Sequence, residues 1–143
     1  MRPSLQVAVL SGILLASTWA VVRSRAAVAQ DHAKVTKTAR GGLLTTTGHH
    51  QFEAFFYPTG VRLFPRDHAG AAIDASKLEA TATFYHPNSP KPWFSRPLRG
   101  GPESLDLALG LQNAPRTGGK VAIQVTGLPG GDESVATFTV PLE

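Results

Sequence analysis

Five histidines, His32, His49, His50, His68 and His86, are the side chains of this sequence best suited to chemistry at neutral pH. Imidazole nitrogen ligates Zn²⁺, Cu²⁺ and Ni²⁺. The chain has no cysteine and its only methionine is Met1, so coordination after loss of a leader would use nitrogen and oxygen donors alone. The candidate metal ligands are His49, His50, His86 and His32. Successive residues of a strand point to opposite faces, so His49 and His50 cannot hold one ion together. One of them can be completed by a histidine on a neighbouring strand, and His86, which continues the face of Phe84, is the candidate. Glu53 shares the face of His49 four residues on, about 13 Å away at the usual strand rise, too far for the two to chelate one ion unaided. The plain alternative is that these histidines sit at strand ends in solvent.

The second chemical feature is Phe84–Leu98, FYHPNSPKPWFSRPL, with four prolines, four aromatic residues and one histidine. Proline fixes φ and moves the residue before it out of the helical region, so this stretch is extended or turning and is expected to cross between two strands. Tyr85, Trp93 and Phe94 are large groups on a stiffened backbone. Such groups lose little entropy on association and dominate interface energetics, which makes them the partner-binding candidates. The competing reading has Trp93 or Phe94 closing the end of the core while the prolines protect an edge. Catalysis has no comparable signal. There is no G-x-S-x-G elbow, H-E-x-x-H, phosphate loop or dinucleotide fingerprint, and the carboxylates form no evident acid/base pair. The expectation is a protein that is not an enzyme.

The elements that must position these residues read as strands. No window shows a convincing 3.6-residue repeat, whereas short alternating runs are bounded by Gly, Pro, Asn and Asp. The expected strands are 43–47, 49–57, 61–65, 78–85, 104–111, 120–126 and 134–142. Residues Leu105, Leu107, Leu109 and Leu111 are expected to face the interior. About seven antiparallel strands predict an all-β, two-sheet sandwich of immunoglobulin-like size, with a small barrel as the alternative. The domain is expected over residues 41–143, preceded by a polar, flexible arm at 30–40.

Residues 5–22 form an apolar run behind Arg2, the layout of a secretory signal, and Ala27-Val28-Ala29 predicts cleavage before Gln30. The run is also long enough to remain as an N-terminal membrane anchor. Either way residues 1–29 take the domain out of the cytoplasm, to a periplasmic, secreted or membrane-anchored location, and the membrane is met only through an uncleaved leader. Cleavage would expose Gln30-Asp31-His32, where a free amine, two backbone nitrogens and His32 could wrap Cu²⁺ or Ni²⁺ in a square plane, unless Gln30 cyclises. The charge is also a leader property. The chain has 14 basic and 10 acidic residues, but Arg2, Arg23 and Arg25 precede Gln30, leaving 11 against 10. A nearly neutral domain argues against a nucleic-acid partner.

Gly41-Gly42, then His50, Phe52 and Glu53, then Asp67–Gly70, then Thr81–Phe84 form a recurring arrangement. It resembles small exported β domains found alone or beside the periplasmic adaptors of heavy-metal efflux pumps. The likeness covers about residues 41–85. In that family a histidine tends to precede the Gly-Gly pair, and Arg40 stands there in this chain, which removes that ligand. The resemblance implies an envelope-located, non-enzymatic β domain that handles a divalent metal. The partners expected are therefore a divalent metal or an envelope protein, with protein docking through residues 84–98 and no metal role as the alternative function.

Overall fold

The computed structural model describes residues 34–131 and 133–141. These fold as nine strands: β1 (Thr36–Lys37), β2 (Leu43–Thr47), β3 (His50–Tyr57), β4 (Gly60–Asp67), β5 (Glu79–Tyr85), β6 (Pro92–Gly100), β7 (Leu105–Ala108), β8 (Lys120–Thr126) and β9 (Ser134–Thr139). All pairings are antiparallel. The strands form one sheet in the order β1-β2-β3-β4-β7-β6-β5-β8-β9, and the sheet curls until β2 comes alongside β9. The all-β, antiparallel expectation holds. The expected division into two sheets of about seven strands becomes one continuous sheet of nine, because β6 belongs to both halves. It pairs with β5 from Pro92 to Leu98 and with β7 at Arg99 and Gly100.

The core lies on the concave face and is one cluster. Alternate residues of each strand enter it: Phe52 and Ala54 from β3, Val61 and Leu63 from β4, Ala80, Ala82 and Phe84 from β5, and Val121, Ile123 and Val125 from β8. Ala136 and Phe138 of β9 complete it from the far edge. This is the period-2 pattern of half-buried strands. Alternation fails in one place. β7 ends at Ala108, and Gly110 opens a single 3-10 turn at Leu111–Asn113, so Leu111 is 71% exposed and does not face the interior.

Two strands were not expected from the sequence. β6 is the proline stretch itself, which was read as a crossing between strands. Proline is tolerated here because Pro92 opens the strand and residues 92–98 have a paired neighbour only on the β5 side. The other is β1, inside the segment expected to be a flexible arm, so paired structure begins before Gly41. Thr36 and Lys37 pair with Leu44 and Leu43, and the chain then turns back through Thr38–Gly42, with the Thr38 N–H donating to the Gly42 carbonyl at 2.8 Å. The leader at 1–29, and His32 with its expected role, lie outside the described residues.

Strand register separates the two ends of the sheet. His50 pairs with Asp67, Leu63 with Leu105, Leu105 with Gly100, Ala80 with Leu98, and Glu79 with Thr126. His50, Asp67, Glu79, Thr126 and Ser134 therefore lie toward one end. Tyr57, Ala108, Pro92, Tyr85, Lys120 and Thr139 lie toward the other.

Candidate docking surface

The second end carries the aromatic residues singled out by sequence, and a β-bulge arranges them. Phe84 pairs with Phe94 but Tyr85 pairs with Pro92, so Trp93 is an extra residue on β6. A bulge bends its strand and re-aims the side chain that it carries. Here it sets the Trp93 ring against the His86 ring, stacked at 4.3 Å between centroids and 28° between planes. Phe94 packs edge-on against Trp93 at 4.7 Å and stacks on buried Phe84 at 4.6 Å. Trp93 and Phe94 are thus half-buried and continuous with the core.

His86 is held by local geometry. The Ser89 N–H donates to the His86 carbonyl at 3.2 Å, and Asn88 has φ of +59°. Pro87 then stands at the second position of a tight turn and Asn88 at the third, the residue types that a type II turn favours. The turn lies beside Gly118 of the loop before β8.

Two cations, Arg116 and Arg96, lie over this aromatic group, while Lys120 covers Tyr85 on the convex face, the side that carries Thr83 and Ser95. The Arg116 guanidinium is 5.5 Å from the Trp93 centroid, that of Arg96 is 5.3 Å from Phe94, and the Lys120 ammonium is 4.1 Å from Tyr85. None of the three has a carboxylate partner among the described residues. Beside Arg116, a cleft of about 160 Å³ is lined by Phe56, Tyr57, Pro58, Pro115, Val140 and Pro141, among others. Sequence reasoning missed Arg96, Arg116 and Lys120. A signal was present, since residues 84–98 and 110–121 contain four basic residues and no Asp or Glu.

The structure brings the partner-binding candidates Trp93 and Phe94 together and places Tyr85 at the same end on the convex face. It does not gather the metal candidates. His50 is 5% exposed on the concave side at the first end, with His49 exposed in the turn before it. His86 is at the opposite end, so the expected approach of His86 to His49 or His50 is not made. Among the described residues no group of three or more His, Cys, Asp or Glu could hold a metal ion. Buried polar atoms remain near His50: the Thr45 and Thr47 hydroxyls have no hydrogen-bond partner among the described residues.

Glu53 also lies differently from expectation. Its side chain is on the convex face, away from Phe52 and Ala54, yet is 2% exposed. The turn after β1 covers it. Thr38 Oγ1 donates to Glu53 Oε1 at 2.8 Å, Arg66 Nη2 donates to Oε2 at 3.0 Å, and the Gly42 N–H donates to Thr38 Oγ1 at 3.0 Å. Arg40 extends the cover, lying 5.3 Å from the Phe55 centroid and 5.0 Å from that of Phe64. Glu53 is a structural anchor for the segment that leads into the domain.

No helix of the described residues is long and apolar enough to cross a membrane. No family model matches the chain, and neither does any curated protein or solved structure.

Proposed function

We propose that this chain is an exported, non-enzymatic β domain that binds a protein partner of the cell envelope through the surface around Trp93. The observation that supports this is the bulge. It places a half-buried indole, backed by Phe94 and Phe84, under the Arg116 guanidinium, which has no carboxylate partner among the described residues and whose neighbours Pro115 and Thr117 line an apolar cleft. Pre-positioned aromatic groups joined to a core are what hot spots are made of. Export rests on the apolar leader with its A-x-A site. A sandwich-like description rests on the shared core between the two halves of the curled sheet. A divalent-metal role for the strand histidines would have to use His49 or His50 without His86, and no arrangement of described side chains favours it.

Site-specific photo-crosslinking in the cells that make the protein tests this. A photo-reactive residue at position 93 is expected to trap a discrete protein adduct, and one at Val135, exposed at the other end of the sheet, is not. No adduct at position 93, or the same adduct from both positions, would overturn the reading.

A further inference from the structure

Resting on that docking reading, we infer that the segment bound at the Trp93 surface is an acidic, extended stretch of polypeptide. Its carboxylates pair with Arg96 and Arg116, and its apolar side chain fills the cleft beside Pro115. The first argument is charge placement. Residues 84–98 and 110–121 hold Lys91, Arg96, Arg116 and Lys120 with no acidic residue. Of the described carboxylates, Asp67, Asp74, Glu79, Glu103 and Glu133 lie in strands, turns and loops toward the His50 end, while Asp106, nearer this end, is paired with Arg62. The domain is nearly neutral overall, so the basic character of this end is a matter of sorting.

The second argument is preorganisation. Both guanidiniums lie over an aromatic ring, Arg116 on Trp93 and Arg96 on Phe94, and Arg96 also donates Nη1 to the Ser95 carbonyl at 2.9 Å. A guanidinium has five N–H groups, so both keep donors for a carboxylate. Trp93 and Phe94 are in edge contact at 4.7 Å. One short segment therefore reaches both cations.

The third argument concerns the backbone. Residues 92–98 of β6 have a paired neighbour on one side only, so an extended chain has room beside them. Pro92 and Pro97 lack N–H groups, which limits pairing by backbone alone and leaves recognition to side chains. A nucleic acid fits less well. The rings that would stack on bases already carry His86, Arg116, Arg96 and Lys120.

The test uses the purified full chain and a pool of fluorescein-labelled decapeptides. Each peptide has four Asp or Glu and two Leu or Phe in randomised order, and a matched pool carries Asn and Gln instead. Fluorescence anisotropy is expected to show binding of the acidic pool, weaker for the amide pool and at high salt. The double variant Arg96→Glu/Arg116→Glu is expected to lose about tenfold or more in affinity, as befits lost charge-assisted bonds. Lys77→Glu, in the turn before β5 at the other end, is expected to leave it unchanged, with circular dichroism confirming that both variants are folded. Four results overturn the inference: no binding of the acidic pool, equal binding of the amide pool, an equal loss in Lys77→Glu, or equal binding of inorganic polyphosphate. Self-association of the chain abolished by the same reversals would also overturn it, by putting the acidic end of a second copy on this surface. If position 93 traps a protein while the acidic pool fails, the acidic partner is wrong and the docking reading stands; if both fail, both fall.

Discussion

Arg66 holds Glu53 on the convex face of the β3–β4 hairpin, Nη2 donating to Oε2 at 3.0 Å, with the carboxylate 2% exposed and the Arg66 side chain 31% exposed. Desolvating a carboxylate is costly, and partner donors offset that cost only while they remain in place. Arg66→Ala leaves the charge under the Thr38–Gly42 turn with Thr38 as its remaining side-chain donor. Its expected cost is about 2–3 kcal/mol, below the full range for a buried pair because Arg66 is partly in water. Arg62→Ala, at the exposed Arg62–Asp106 pair of 2.7 Å, is expected to cost measurably less, because solvent screens that pair. Urea denaturation of both variants gives the comparison, and equal losses would contradict this account of Glu53.

Thr38 and Gly42 make the same site depend on the chain before β2. Thr38→Val removes the donor to Glu53 and the acceptor for the Gly42 N–H, with an expected loss of about 1–2 kcal/mol. Gly42→Ala would place a Cβ 2.8 Å from Glu53 Oε1 and 2.9 Å from Phe55 Cζ, an overpacking expected to cost about 1–3 kcal/mol. In both variants amide exchange should quicken first at Thr36–Gly42, before any change in β8. Uniform quickening across the sheet would mean that this turn is not a separate unit.

Much of the fold was legible in residue order and some was hidden for physical reasons. β2 and β8 appear at their expected bounds because glycines flank both, and in β8 the alternation is also clean. β6 was hidden because proline is a poor strand residue in general, and the exemption depends on having an unpaired side, which only the assembled sheet decides. Burial of Glu53 was hidden for a related reason, since period-2 alternation assigns a face and cannot report that a turn from another segment covers it. Leu111 failed in the opposite direction, keeping the alternating pattern past the point where Gly110 ends the strand. At the docking surface the aromatic half was readable as composition. The cationic half comes from Arg96 and from Arg116, the latter more than twenty residues away in sequence from Trp93 and brought there by the β5–β8 pairing.

Asp74 provides an expectation in pH. Its carboxylate caps the Ala75–Lys77 turn, accepting from the Ser76 hydroxyl at 2.6 Å and the Ser76 N–H at 3.0 Å. These bonds, the hydroxyl first, hold its pKa below the ordinary value of 3.8. A group whose pKa is depressed by folding contributes its stability fully above the unfolded value, and that contribution fades as pH falls through the folded one. Asp74→Asn cannot titrate, so the difference in urea midpoint between it and the parent chain should be constant near neutrality and shrink below about pH 4. A difference that grows on acidification would reverse the assignment.

Trp93 decides between the two roles open to the proline stretch, because its burial is intermediate. Were it the plug of the core, truncating it would resemble truncating Phe52, which is fully buried and whose loss to alanine is expected to cost about 3–5 kcal/mol. Half-buried at the bulge, Trp93 has less apolar area to lose, and Trp93→Ala is expected to cost about 1–2 kcal/mol. Losing the indole also frees Arg116 from its platform, so binding at this surface should fall further than stability does. The joint observation is therefore the urea midpoint of Trp93→Ala beside that of Phe52→Ala, with anisotropy against the acidic peptide pool measured on the folded Trp93→Ala protein. A modest stability loss with a large affinity loss fits a docking residue. A loss as large as that of Phe52→Ala would return Trp93 to the core and leave the prolines as edge protection.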